Sequence, residues 1–186
     1  MQRHIYLRLC IQVAQEHRDF ARKPTGRGNA EMMGSEIKNA MISIVFALTC
    51  LEGYINWVAR AFLGTNWLNY KDTSPEGKWK GVANAITQKK FGKMRTPFSE
   101  KEPPFKSFLE LVQLRNGIVH LEPEEWLGLE EGKYGLSNVG VNQINAEVAE
   151  QACQTVEGMI TKLHEVIEVD LPWWLRKTQR PAESLE

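Results

Sequence analysis

The sequence predicts an all-α fold, a bundle of four to five helices in a single domain. Apolar residues recur at intervals of three and four over several long stretches, which is the spacing of a buried helix face. Alternation with a period of two, which would indicate strands, is almost absent. A length of 186 residues and a hydrophobic content of 42% suffice for one domain with a hydrophobic core.

Two helices are predicted in the first third of the chain. The first covers residues 4–21, and the Pro- and Gly-containing stretch 24–28 ends it. The second covers residues 35–63, with Ser35 as its N-cap and Gly64 placed to end it. This second helix carries the broadest apolar stripe, so we expect it to form the centre of the core.

Residues 65–104 are predicted as an irregular insertion between core helices. One short helix is expected within it, because Ser74 can cap a helix that has Pro75 at its first position. This helix would run to about Phe91. Its inner face is formed by apolar residues at helical spacing, namely Trp79, Val82, Ala83 and Ile86.

Positive charge concentrates in the same region, although the whole chain has a formal net charge of zero. Residues 71–106 contain nine Lys or Arg against four Asp or Glu, and such a surface attracts polyanions unless it is simply a solvated helix face. The candidate RNA contacts are the cations Lys89, Lys90, Lys93 and Arg95. The aromatic residues that could stack on bases, or instead pack in the core, are Trp67, Tyr70, Trp79 and Phe91.

An acidic stretch and one further long helix complete the chain. Residues 122–170 contain eleven Asp or Glu against two Lys. The last long helix is predicted over residues 145–169, and Pro172 ends it. Trp173 and Trp174 are expected to fold back onto the core as an apolar cap.

The cysteines and the apolar runs indicate a reduced, cytoplasmic protein. Cys10, Cys50 and Cys153 are odd in number and lack the C-x-x-C spacing of a disulfide framework or a zinc site. No uninterrupted run of about 18 apolar residues is present, so no membrane span is expected. Arg3 and Arg8 interrupt the apolar pattern of the N-terminus, which argues against a signal peptide.

No cofactor and no metal ion are expected. The sequence contains none of the patterns G-x-x-x-x-G-K-[ST], G-x-G-x-x-G after a strand or H-E-x-x-H. His4, His17 and His164 are isolated from other ligand residues, so they are interpreted as surface or hydrogen-bonded core residues.

The stretch with the clearest chemical content is Arg115-Asn116-Gly117-Ile118-Val119-His120, at the end of an apolar helix that begins at Phe105. Asn116 and His120 are four residues apart and share a helix face. An imidazole can act as general acid or base, and a guanidinium can bind phosphate oxygens through two donors at once. RNA cleavage without a metal needs both groups. Since one histidine is not enough, the chemistry favours a symmetric dimer that doubles the motif.

Two polar residues of the second helix are candidates to support this site. Glu52 and Asn56 are four residues apart in an otherwise apolar stretch. They lie either on the surface or in a polar pocket that faces Arg115.

The motif and its context resemble the HEPN superfamily (higher eukaryotes and prokaryotes nucleotide-binding). The family's R-x4-6-H motif, with a polar residue after Arg, falls on Arg115, Asn116 and His120. An apolar helix with Leu51-Glu52-Gly53-Tyr54-Ile55-Asn56 precedes it and a long helix follows it, so the resemblance covers roughly residues 35–169. The tail 170–186 and the insertion 65–104 lie outside what it explains.

The resemblance to HEPN toxins also extends upstream of the motif. Some of these toxins carry E-x3-K-R, and Glu110 matches the acid. Leu114, however, stands where that pattern has Lys.

The resemblance implies a metal-independent RNA endonuclease that acts as a homodimer, with two Arg/His pairs facing one cleft. Arg115 would bind the scissile phosphate, His120 would move protons and Asn116 would hold the geometry, while Glu110 or Glu52 would pair with Arg115. A toxin or phage-defence role would bring an antitoxin or another regulatory protein as partner. Two alternatives stay open, namely a non-catalytic helical interaction or scaffold module and a nucleotide-binding module.

Overall fold

The structure, a computed structural model, describes residues 2–95, 97–119 and 144–176, with side chains from residue 5 onward. Its α-helices are α1 (Gln2–Arg22), α2 (Asn29–Leu63), α3 (Pro75–Phe91), α4 (Phe105–Val119), α5 (Ala146–Ile167) and α6 (Trp173–Arg176). A 3₁₀ helix (Gly64–Tyr70) links α2 to α3, and these ranges contain no strand. The all-α prediction is confirmed, with a four-residue helix added to the four or five expected.

Helix α2 is the centre of the core, as predicted. Helices α1, α3, α4 and α5 all pack against it, and Leu51, Tyr54 and Val58 are completely buried. Gly53 permits the close approach of α1, because a Cβ atom at this position would lie 2.8 Å from Cδ2 of Leu7. Gly64 ends α2 with a φ of 58°, as expected for a glycine at a helix C-terminus.

The predicted start of α2 is wrong. The helix begins at Asn29 after an uncapped Gly28, six residues before Ser35. The Oγ of Ser35 instead accepts a hydrogen bond from the Thr25 N–H at 3.3 Å, and the Glu31 carboxylate accepts one from the Arg27 N–H at 2.7 Å. The preceding loop thus contacts the first turns of α2. These contacts stabilise a helix that begins earlier than the preference of Ser35 for a capping position predicts.

Residues 65–104 do not form an irregular insertion, because α3 is part of the core. Ser74 caps α3 as predicted, since its Oγ accepts a hydrogen bond from the Gly77 N–H at 3.1 Å. The predicted inner face is buried along its length. Trp79 is 1% exposed and packs edge-on against Phe98 and Phe108, so it is not available to stack on a base.

Helices α5 and α6 close the bundle as the sequence predicts. The Oδ1 of Asn145 caps α5 by accepting a hydrogen bond from the Val148 N–H at 3.0 Å. Within α6, Trp174 is buried while Trp173 is half-exposed, so one of the two tryptophans forms the predicted cap. The cysteines are free thiols, two of them buried and Cys10 half-buried.

The stretch Asn29–Tyr70 is long and apolar enough, by length and composition, to cross a membrane, with a mean hydropathy of 1.5 in its most apolar window. Half of that window is buried inside the fold, and the core helix of a soluble protein or a signal sequence would pass the same test. One such helix near the N-terminus is weak evidence for a membrane span. The cytoplasmic location stays a prediction.

Candidate functional site

Arg115 lines a small recess between α2, α3 and α4, hereafter the Arg115 recess. Its charged members are Arg115, Glu52 and Lys78, and its apolar walls include Leu48, Trp79 and Phe108. The cavity has a volume of about 40 Å³, which is room for about three water molecules. A phosphate would therefore bind at its mouth rather than inside it.

The helical period of α4 places Arg115 at this recess. Phe108 and Leu111 are each 2% exposed and form the core-facing side of the helix. Arg115 follows them by seven and four residues, so it lies on the same face, one turn further along. The same pattern that buries the apolar residues thus brings a guanidinium to the edge of the core.

One donor of Arg115 has no partner in the described ranges. Its Nε atom is buried and makes no hydrogen bond there, and leaving such a donor unpaired costs about 1–3 kcal/mol. Glu52 lines the same recess, yet no ion pair within 4.0 Å joins it to Arg115 in this part of the chain. Glu52 therefore does not neutralise the guanidinium through an ion pair, although both residues line the same recess.

Lys78 is the member of the recess that sequence reasoning missed. Its side chain is buried, with 6% exposed, and its Nζ donates to the Lys71 carbonyl at 3.1 Å. The pattern that could have found it is its spacing to Val82 and Ile86, four and eight residues later on the buried face of α3. Lys78 adds a second cation to the space that Arg115 occupies.

The other predicted site residues do not converge on the Arg115 recess. Asn116 is exposed on the outer side of α4. Glu110 lies 3.8 Å from Lys106 in an exposed ion pair and does not pair with Arg115. Asn56 lines a different recess, between α1 and α2, so Glu52 and Asn56 do not line the same recess. Glu52 is exposed where it lines the Arg115 recess and Asn56 is half-buried in the other recess, so the two residues do not form one polar pocket that faces Arg115.

His120 lies outside the described residues, as does the acidic stretch 122–143. The last described residue before it is Val119, the end of α4, whose apolar side chain is half-exposed.

Three of the four basic residues predicted to contact RNA bind to their own chain. Lys90 donates to the carbonyls of Ile167 and Glu168 at 2.8 and 2.9 Å, which caps the end of α5. Arg95 pairs with the Glu168 carboxylate at 2.7 Å, and Lys89 donates to the Phe62 carbonyl. These cations stabilise helix ends, and Lys93 is an exposed neighbour.

His164 is a hydrogen-bonded core residue, as predicted, although its partner was not foreseen. Its Nδ1–H donates to the Val169 carbonyl at 3.3 Å, so its Nε2 accepts a hydrogen bond from the Tyr54 hydroxyl. Burial lowers the pKa of His164 and raises the pKa of Tyr54. The pair joins α2 to α5 in their neutral forms.

No group of three or more potential metal ligands occurs in the residues that the structure describes. His17 uses its Nδ1 in a hydrogen bond with the Asn39 side chain at 2.8 Å.

Comparison with protein-family models, curated proteins and solved structures finds no match for this chain. The family assignment therefore stays a prediction, based on the sequence motif.

Proposed function

We propose that this chain is a metal-independent RNA endonuclease of the HEPN type. The observation that supports this proposal best is that Arg115 lines a recess at the edge of the core and forms no ion pair within 4.0 Å in the described ranges. A guanidinium held at the edge of the core beside a second cation, Lys78, suits the binding of a phosphodiester.

In the proposed reaction, the RNA 2′-oxygen attacks the adjacent phosphorus and the bond from phosphorus to the 5′-oxygen breaks. A base takes the proton of the 2′-hydroxyl, and an acid gives a proton to the departing 5′-oxygen. The products are a 2′,3′-cyclic phosphate and a 5′-hydroxyl. Arg115 stabilises the negative charge on the phosphorane oxygens, Lys78 adds positive potential nearby, and this contribution needs no metal ion.

His120 supplies one of the two proton-transfer groups, and Asn116 orients it from the same helix face. The second group comes from a second copy of the chain, which places another Arg115 and His120 on the opposite side of the cleft. The half-exposed Val119 beside His120 is consistent with an apolar contact near that cleft. A toxin or phage-defence role, with an antitoxin or another regulatory protein as partner, follows from the same proposal.

A non-catalytic helical interaction module is the second candidate. The observation that favours it is the place of Arg115 where α4 meets α2, in a recess that Leu48, Ile55 and Val112 also line. In that case the side chain of Arg115 serves to pack α4 against α2.

The two candidates are separated by incubating purified protein with structured RNA in the presence of EDTA. The endonuclease predicts cleavage with 2′,3′-cyclic phosphate ends, and its loss in Arg115→Ala and in His120→Ala. The scaffold predicts no cleavage by wild type and a lower Tm for Arg115→Ala. Glu110→Gln is the matched control on α4, because Glu110 is exposed and pairs with Lys106.

A further inference from the structure

A second pocket lies where α1, α5 and α6 meet, and it shares no residue with the Arg115 recess. Its volume is about 180 Å³. Its polar side chains come from three elements, which are Arg8, Gln12 and Gln15 on α1, Glu157 on α5, and Trp173 and Trp174 on α6. The first three lie on one face of α1, since they are separated by four and three residues.

Trp174 provides a buried donor without a partner. The residue is 7% exposed, and its indole Nε1 makes no hydrogen bond within the described ranges. An indole N–H can only donate, so an acceptor that enters the pocket can satisfy it. A buried donor left without an acceptor is costly, and in native proteins it often marks a place for water or a ligand.

Two side chains of opposite charge, Arg8 and Glu157, border the pocket and form no ion pair with each other. Arg8 lies over the ring of Trp173, with its guanidinium carbon 5.1 Å from the ring centre. Glu157 makes no ion pair within 4.0 Å in the part of the chain that the structure describes. Burial raises the pKa of the Glu157 carboxyl, and the charge of Arg18 opposes this shift only in part, so the charged form of Glu157 would gain from a cation bound in the pocket.

We propose that this pocket binds a free aliphatic amino acid as its zwitterion. The carboxylate accepts hydrogen bonds from Arg8 and from Nε1 of Trp174, and the ammonium group donates to Glu157. A simple anion would leave Glu157 unmatched and a simple cation would leave Arg8 unmatched, whereas a zwitterion satisfies both. Ile11 and Leu175, both buried wall residues, provide the apolar surface for the side chain.

Isothermal titration of the intact protein with leucine, valine, aspartate and lysine tests the proposal. We expect leucine or valine to bind and to raise the Tm, and the charged amino acids to bind at least tenfold more weakly. The N-acetyl and carboxamide derivatives of the amino acid that binds remove one charge each, and both should bind about tenfold more weakly or worse, since they leave a charged side chain of the pocket unpaired.

Three variants locate the binding. Trp174→Phe keeps the ring and removes the donor, Glu157→Gln removes the ammonium acceptor, and Arg8→Gln removes the guanidinium. Each should weaken binding about tenfold or more, whereas Glu165→Gln, an exposed substitution on the same helix, should not. Arg8 is exposed and Glu157 is half-buried, so we expect these two variants to fold. Their binding can then be measured even if Trp174→Phe unfolds.

No heat and no change in Tm with any of the four amino acids at millimolar concentration would overturn the proposal. Binding that persists unchanged in Glu157→Gln and Arg8→Gln would overturn it as well. Because the assay contains no RNA, its result is independent of the proposed endonuclease.

Discussion

Arg115 on α4 and Lys78 on α3 line the same recess, so two helices bring two cations to one edge of the core. Lys78 already donates to a backbone carbonyl, whereas the buried Nε of Arg115 has no partner in the described ranges. The two residues therefore have different tasks. In the proposed reaction, the guanidinium of Arg115 binds the scissile phosphate at the mouth of the recess, and Lys78 strengthens the positive potential around it.

We expect Lys78→Gln to weaken RNA binding more than it slows the chemical step, raising KM with a smaller change in kcat. Loss of one positive charge that helps to neutralise the bound phosphates should lower the slope of log affinity against log salt by at most about 0.7. Lys106→Gln is the matched control, since Lys106 is exposed and forms an ion pair with Glu110 on the same helix. An equal effect of both substitutions would show that Lys78 has no special place in the site.

Tyr54→Phe should lower the free energy of unfolding by about 1–3 kcal/mol, because it leaves the buried Nε2 of His164 without its donor. Urea denaturation followed by circular dichroism measures the change. Tyr70→Phe is the control, because Tyr70 is half-buried and packs over Gly81 mainly through its ring. Equal stability of Tyr54→Phe and wild type would contradict the structural role of the pair.

Acid should destabilise the protein through His164. Burial lowers the pKa of His164 in the folded state below its usual value of 6.5, so the unfolded chain binds this proton more readily. The neutral pair contributes its full stability above pH 6.5, and that contribution is lost as the pH falls through the lowered pKa of the folded state.

The difference in unfolding free energy between wild type and His164→Gln, measured from pH 7.5 down to pH 5, isolates this contribution from other groups that titrate. We expect the difference to shrink as the pH falls. A difference that is constant over this range would show that His164 does not titrate with folding.

Lys90→Gln should reduce stability by about 1 kcal/mol, because Lys90 donates to two carbonyls at the end of α5. Lys93→Gln, three residues away and exposed, should have little effect on thermal unfolding. If both substitutions leave Tm unchanged and both weaken RNA binding, these lysines belong to an RNA surface instead.

Local patterns predicted the helices well, because their causes lie within a few residues. Ser74 followed by Pro75, Asn145 before α5 and Gly64 after α2 each act on the adjacent turn, and all three lie at helix ends as expected. Ser35 shows the limit of this reasoning. Its hydroxyl is used by the backbone of Thr25, which only the folded loop brings close.

From the sequence, only the part of the site that lies on a single helix was predictable. Arg115 follows from the period of α4, and its approach to Glu52 was among the expected arrangements. The hydrogen bond between Tyr54 and His164 joins residues 110 positions apart, so no local pattern could reveal it. The sequence analysis did not identify Lys78, because a lysine is expected on the solvent side of a helix. Its spacing to Val82 and Ile86, however, places it on the buried side.

The rate of RNA cleavage in EDTA by wild type and by Arg115→Ala tests the central claim most directly. Loss of a donor that stabilises charge in the transition state costs about 10²–10³ in rate, so we predict a fall of that size, with Arg115→Lys in between because it keeps the charge and loses the bidentate geometry. Glu110→Gln should cleave at the wild-type rate. Equal rates for wild type and Arg115→Ala, or no cleavage by wild type, would contradict the account.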